Sequence, residues 1–104
     1  MSFRIKVAPR AAIQIRAAAE WWAEHRSKAP LAFAEDLESA YALIQEFPFA
    51  GEPVRHRRIA NVRRILMGRV RYQLYYVFSG EESVVEILAL WHASRGTHPR
   101  LASE

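Results

Sequence analysis

The period of the apolar residues changes partway along this chain, and that change limits the folds open to it. From Ala11 to Phe47 the apolar residues recur at helical spacing; after Ile59 they alternate. Ala11, Ile15, Ala18 and Trp22 stand at i, i+4, i+7 and i+11, with Ala19 beside them, which predicts a helix over about 11–25 with one buried stripe. Pro9 suits its first turn, where a missing N–H costs nothing. "SKAP" breaks that helix, and Pro30 opens a second that runs to about Phe47. Its stripe is Phe33, Leu37, Ala40, Ile44 and Phe47, with Tyr41 alongside and Glu35, Asp36, Glu38 and Glu46 toward water. The two helices form a hairpin. Two large residues leave the first stripe, Ile13 and Trp21. A single exposed apolar residue needs no explanation, but Trp21 calls for a cover: a partner helix, a second subunit or the chain's own tail.

The strands bracket this hairpin. "FRIKV" at residues 3–7 alternates apolar and basic and predicts a short strand. Pro48, Gly51 and Pro53 in "FPFAGEP" end the second helix in a turn-rich connection. Three further strands follow, at about 61–67, 69–78 and 83–92, with tight connections at Gly68 and "SGEE", so they form an antiparallel meander. In "RVRYQLYYVF", Val70, Tyr72, Leu74, Tyr76 and Phe78 share one face and Arg69, Arg71 and Gln73 the other. Of the tyrosines, Tyr75 is expected to be the most exposed. The last strand is apolar on both faces apart from Glu86 and His92, a pattern that belongs inside a sheet. The expectation is one α+β domain over residues 1–104, in two layers and in the order β-α-α-β-β-β. The helical hairpin packs on a twisted, mainly antiparallel sheet, and a polar tail from about residue 94 frays at its end. Where the first strand pairs is left open.

The net charge of +4 hides a segregation. Residues 53–80 hold seven arginines, at 55, 57, 58, 63, 64, 69 and 71, and no acid; the rest of the chain carries eight bases against eleven acids. Clustered charge of one sign raises the local potential and draws an opposite partner. A solvated face that keeps the protein soluble is the plainer reading; a phosphate-bearing or acidic partner is the other. No cysteine is present, which excludes disulfides and thiolate metal sites and fits a reducing compartment. No run approaches the roughly 18 apolar residues of a membrane span, and "MSFRIKVAP" lacks a signal peptide's apolar segment. A cytoplasmic address without membrane contact is expected.

Most catalytic signatures are missing: no Gly-rich phosphate loop, HExxH, GxSxG or cysteine nucleophile. His92 and His98 lack the carboxylate spacing of a metal site, so neither metal nor cofactor is expected. What remains is metal-independent RNA cleavage or plain binding. Cleavage through the 2′-hydroxyl needs a base, an acid and cations around the phosphorane. Arginines are abundant, but base and acid are scarce; His92 and Glu52 are candidates by type. For His92 the alternative is a strand-end histidine packed on Trp91 or capping the sheet.

The element order, the proline and glycine of "FPFAGEPVR", the strand "YQLYYVF" and the final "VVEILALWHASRG" together resemble the RelE/ParE toxin superfamily of type II toxin–antitoxin modules, over about residues 3–100. The resemblance implies one of two activities: ribosome-dependent mRNA cleavage in RelE-like members, or poisoning of DNA gyrase without catalysis in ParE-like members. In the RelE-like strand matching "YQLYY", the residue after the first tyrosine is an arginine on the scissile phosphate; here it is Gln73. No tyrosine follows Tyr76, so the C-terminal tyrosine of many RelE-like enzymes is missing too. A neutral amide is a weaker partner for a dianionic transition state than a guanidinium. The resemblance therefore points to a ParE-like toxin that binds gyrase and is neutralised by an antitoxin with an acidic extended or helical segment. The alternative is a nuclease acting on ribosome-bound mRNA with His92, Arg64, Arg69 and Arg71. The residues expected to touch target or antitoxin are Trp21, Arg63, Arg64, Arg69, Arg71, Gln73, His92 and Arg95.

Overall fold

A computed structural model describes residues 2–94, 99 and 101, and it places two helices on one face of a five-stranded sheet. In chain order the elements are β1 (Arg4–Val7), α1 (Pro9–His25), α2 (Ala32–Glu46), a 3-10 turn (Pro48–Ala50), β2 (Glu52–Val54), β3 (Val62–Met67), β4 (Tyr72–Ser79) and β5 (Val84–His92). The strands lie in the order β1-β5-β4-β3-β2. β1 runs parallel to β5, from Arg4 opposite Val84 to Val7 opposite Ile87, and the other pairs are antiparallel. This is the α+β architecture that the periodicity predicts, with the position of the first strand now fixed. β5 lies between β1 and β4, as its two-sided apolar pattern requires.

Both faces of the sheet carry buried side chains. On the helix side Phe33 and Ile44 of α2 meet Leu74, Tyr76, Val85 and Ile87 in the main core. Burying each such side chain contributes about 1.5–3 kcal/mol. On the other side Val62, Tyr75, Leu88 and Ala89 form a second cluster with Leu101. A register shift makes this possible. Tyr75 stands opposite Ala89 but Tyr76 opposite Ile87, so Leu88 has no partner on β4.

The structure corrects the sequence reading at five places. β2 is an additional strand; its Pro53 is tolerated because β2 lies at the sheet edge. The strand expected from residue 69 starts only at Tyr72, because residues 68–71 form a turn in which Arg71 takes a φ of 64° and its N–H returns to the Met67 carbonyl. Asp36 does not face water: its carboxylate accepts from the N–H groups of Arg69 (2.9 Å) and Val70 (3.2 Å) and pins that turn to α2. Phe47 is 64% exposed, since the chain leaves the helix there and Pro48 is buried in its place. Tyr75 is only 2% exposed, and Tyr72 is the most accessible of the three tyrosines.

One contact fixes the strand edge that bears the site. The Tyr76 hydroxyl donates to the Pro48 carbonyl (2.7 Å) and accepts from the Gly51 N–H (2.9 Å). A Cβ at Gly51 would lie 2.6 Å from that hydroxyl and 2.7 Å from the Arg64 carbonyl oxygen, so only glycine fits.

Candidate functional site: a basic cleft and an aromatic groove

The connection from β2 to β3, "RHRRIAN", turns beside the sheet face remote from the helices. His56 organises it: its Nδ1 accepts hydrogen bonds from the N–H groups of Arg58 (3.1 Å) and Ile59 (3.0 Å). The loop forms one wall of a cleft of about 590 Å³. Arg64 and Tyr75 line the sheet side, and Pro53, Val54, Pro99 and Leu101 supply apolar surface.

The charges in this cleft differ in kind. Arg64 is partly covered; its guanidinium donates to the Tyr75 hydroxyl (3.4 Å) and to the Glu52 carboxylate, and these bonds hold its pKa above the ordinary arginine value. Arg55, Arg57 and Arg58 are exposed and form no ion pair among the described residues. The cleft thus presents three uncompensated guanidinium groups beside a neutralised one. The sequence reading did not single out Arg55, His56, Arg57 and Arg58 as a site, although "RHRR" inside the acid-free segment is the signal for them.

The residues expected at a site are dispersed. Arg63 lies on the helix side, where it donates to the carbonyls of Phe49 (3.2 Å) and Gly51 (2.7 Å) and stacks on the Phe49 ring. Arg69 is turned to α2 and pairs with Glu35 (3.0 Å) and Asp36 (2.9 Å), which raise its pKa. Arg71 is exposed at the β3–β4 turn. Gln73 is half-buried opposite Leu66 and Trp91, on the cleft side of the sheet. Arg95 and His98 lie outside the described residues.

His92 stands opposite Tyr72, packs edge-on against its ring at 4.9 Å, and contacts the Ser94 hydroxyl at 2.7 Å through Nδ1. Tyr72 belongs to the helix-side core, whereas Tyr75, opposite Arg64, belongs to the other cluster. His92 and Arg64 are therefore on opposite faces. Glu52 and His92 come from β2 and β5, with two strands between them. The structure does bring His92 together with Trp21: with Gln14, Ala17 and Tyr72 they line a groove of about 390 Å³ between α1 and β5. Trp21 is 40% exposed, stacks on His25 at 4.7 Å and carries the Arg26 guanidinium over its ring. The cleft presents exposed guanidinium groups beside apolar surface, and the groove an apolar and aromatic lining with the Arg26 guanidinium near Trp21.

Among the described residues no group of three or more histidine and carboxylate side chains converges, and no helix is long and apolar enough to cross a membrane. Residues 5–96 match the family model described as ParE toxin of type II toxin–antitoxin system, parDE. No curated protein matches the chain in sequence. The fold is similar to that in the chromosomal ParDE system from P. aeruginosa, with a TM-score of 0.68 at 16% identity over 89% of this chain and 98% of that one. The RelBE2 toxin–antitoxin complex from Mycobacterium tuberculosis gives 0.63 at 22% identity over 90% and 95% of the two chains. The isolated E. coli RelE toxin gives 0.59 at 20% identity over 91% and 88%.

Proposed function

The chain belongs to the ParE toxin family of type II toxin–antitoxin systems, and we propose that this toxin acts by binding DNA gyrase in the cytoplasm rather than by cutting RNA. The observation that supports the reading best is the dispersal of the candidate nuclease groups. His92 is separated by the sheet from Arg64, and Arg69 is held by two carboxylates of α2. General acid–base cleavage needs a base within hydrogen-bond reach of the reacting atoms and cations on the same phosphate. Gln73, on the cleft face, adds a neutral amide where a RelE-like enzyme is expected to hold a guanidinium.

A cognate antitoxin is the second partner. Two of the structures with this fold, RelBE2 from Mycobacterium tuberculosis and RelBE from E. coli, are toxin–antitoxin complexes, which favours the same arrangement here. The groove of Trp21, Tyr72 and His92 suits an apolar side chain of an antitoxin segment, and Arg26 and Arg71 suit its acids. Purified toxin added to a gyrase supercoiling reaction tests the function: supercoiling should stop and gyrase-linked DNA cleavage should rise. Unaffected gyrase would exclude this target.

A further inference from the structure

The two candidate surfaces of this molecule differ in their balance of apolar surface and charge. Trp21 sits on α1 and Leu43 and Phe47 at the end of α2, whereas Arg55, Arg57 and Arg58 border the cleft on the far face of the sheet. Acidic peptides bind tightly through apolar anchors, with charge at the rim, and the helix side offers that combination. The cleft offers forked cations over proline and aliphatic surface. All seven basic side chains of residues 53–80 other than histidine are arginine, the residue whose planar fork matches phosphate oxygens in pairs. Their loop is held in shape by the His56 Nδ1 bonds, so little ordering is left for a ligand to impose.

We propose that the cleft between the 55–58 loop and the β3–β4 face binds the phosphodiester backbone of a nucleic acid, giving the toxin a direct polynucleotide contact independent of base sequence. Arg55, Arg57 and Arg58 neutralise phosphates, while Arg64, already engaged by Glu52 and Tyr75, forms the floor. The contact adds to the gyrase reading, since a toxin docked on a DNA-handling enzyme meets its DNA, but the binding itself does not need gyrase.

The test is fluorescence anisotropy of the full chain with a labelled duplex of arbitrary sequence, titrated with monovalent salt. Three neutralised phosphates give a slope of log K against log salt of about −2.7, from about −0.9 for each. Replacing Arg57 and Arg58 by Gln should remove about 1.8 of that slope. Replacing Arg4 and Lys6, which remove the same charge from the exposed residues of β1, should leave it unchanged. Equal loss in both variants would reduce the effect to bulk charge and overturn the site. So would absence of binding at low salt, or displacement by polyglutamate as effective per charge as by a DNA strand, which would mark an acidic-peptide site. A DNA duplex, a DNA strand and an RNA duplex of equal length identify the polymer, and binding of any one with a slope of about −2.7 for a duplex or about −2.1 for a strand supports the contact. Gyrase inhibition without this binding would remove the contact and spare the function; binding without gyrase inhibition would do the reverse.

Discussion

His92 and Arg64 occupy opposite faces of one sheet, His92 beside Tyr72 under the helices and Arg64 beside Tyr75 on the cleft side. Both residue types suit phosphate cleavage. The layer between them is Leu74, Tyr75, Tyr76 and Ala89, all at most 2% exposed, which closes the sheet to a substrate reaching both. The separation keeps this imidazole and this guanidinium from meeting on one phosphate.

The Tyr76 hydroxyl ties the edge strand to the core, so its loss should be felt both in stability and in the cleft. Tyr76→Phe strands the Pro48 carbonyl and the Gly51 N–H and should cost about 1–3 kcal/mol in urea unfolding. Gly51→Ala should cost at least as much, because its methyl would overlap the hydroxyl and the Arg64 carbonyl. An unchanged midpoint in both variants would show that the edge is held otherwise.

Asp36 gives the stability an acid limb. Burial alone would raise its pKa, but the Arg69 guanidinium and the N–H groups of Val70 and Arg69 outweigh burial and hold it below the ordinary carboxylate value. A carboxylate depressed in the folded state stabilises fully above the unfolded pKa of about 3.9 and loses that contribution as pH falls through the folded value. Asp36→Asn should therefore destabilise by about 1–3 kcal/mol at neutral pH, and the gap from wild type should close below about pH 4. Denaturant titrations at pH 7 and pH 3 check this. A gap equal at both would assign the effect to packing.

These two anchors also explain what the sequence withheld. The helices, the meander and the interior place of β5 follow from local period, which needs only neighbouring residues. Arg69 and Arg71 alternate with Val70 as a strand would, yet Asp36, more than thirty residues earlier, turns that stretch into a loop. Tyr75 is buried because of a register shift opposite Leu88 and because Leu101 returns to the far face, neither of which leaves a local mark. The site shares this division. The arginine-rich segment is plain in the sequence, but which arginines are free depends on Glu35, Asp36, Glu52 and Phe49, supplied by other elements.

The aromatic groove should govern neutralisation. Trp21→Ala removes its exposed wall, and Arg71→Glu reverses a charge beside it; each should weaken antitoxin binding at least about tenfold, or about 1.4 kcal/mol, in calorimetry. Growth inhibition by either variant in the absence of antitoxin should persist. Antitoxin affinity equal to wild type in both would move the interface elsewhere.

Binding without chemistry can be decided by giving wild type and His92→Ala to a gyrase supercoiling reaction and to a translating ribosome whose mRNA ends are mapped. Both proteins should block supercoiling, raise gyrase-linked DNA cleavage and leave the mRNA whole. Cuts in the ribosomal A site that disappear with His92→Ala, while gyrase stays active, would contradict it.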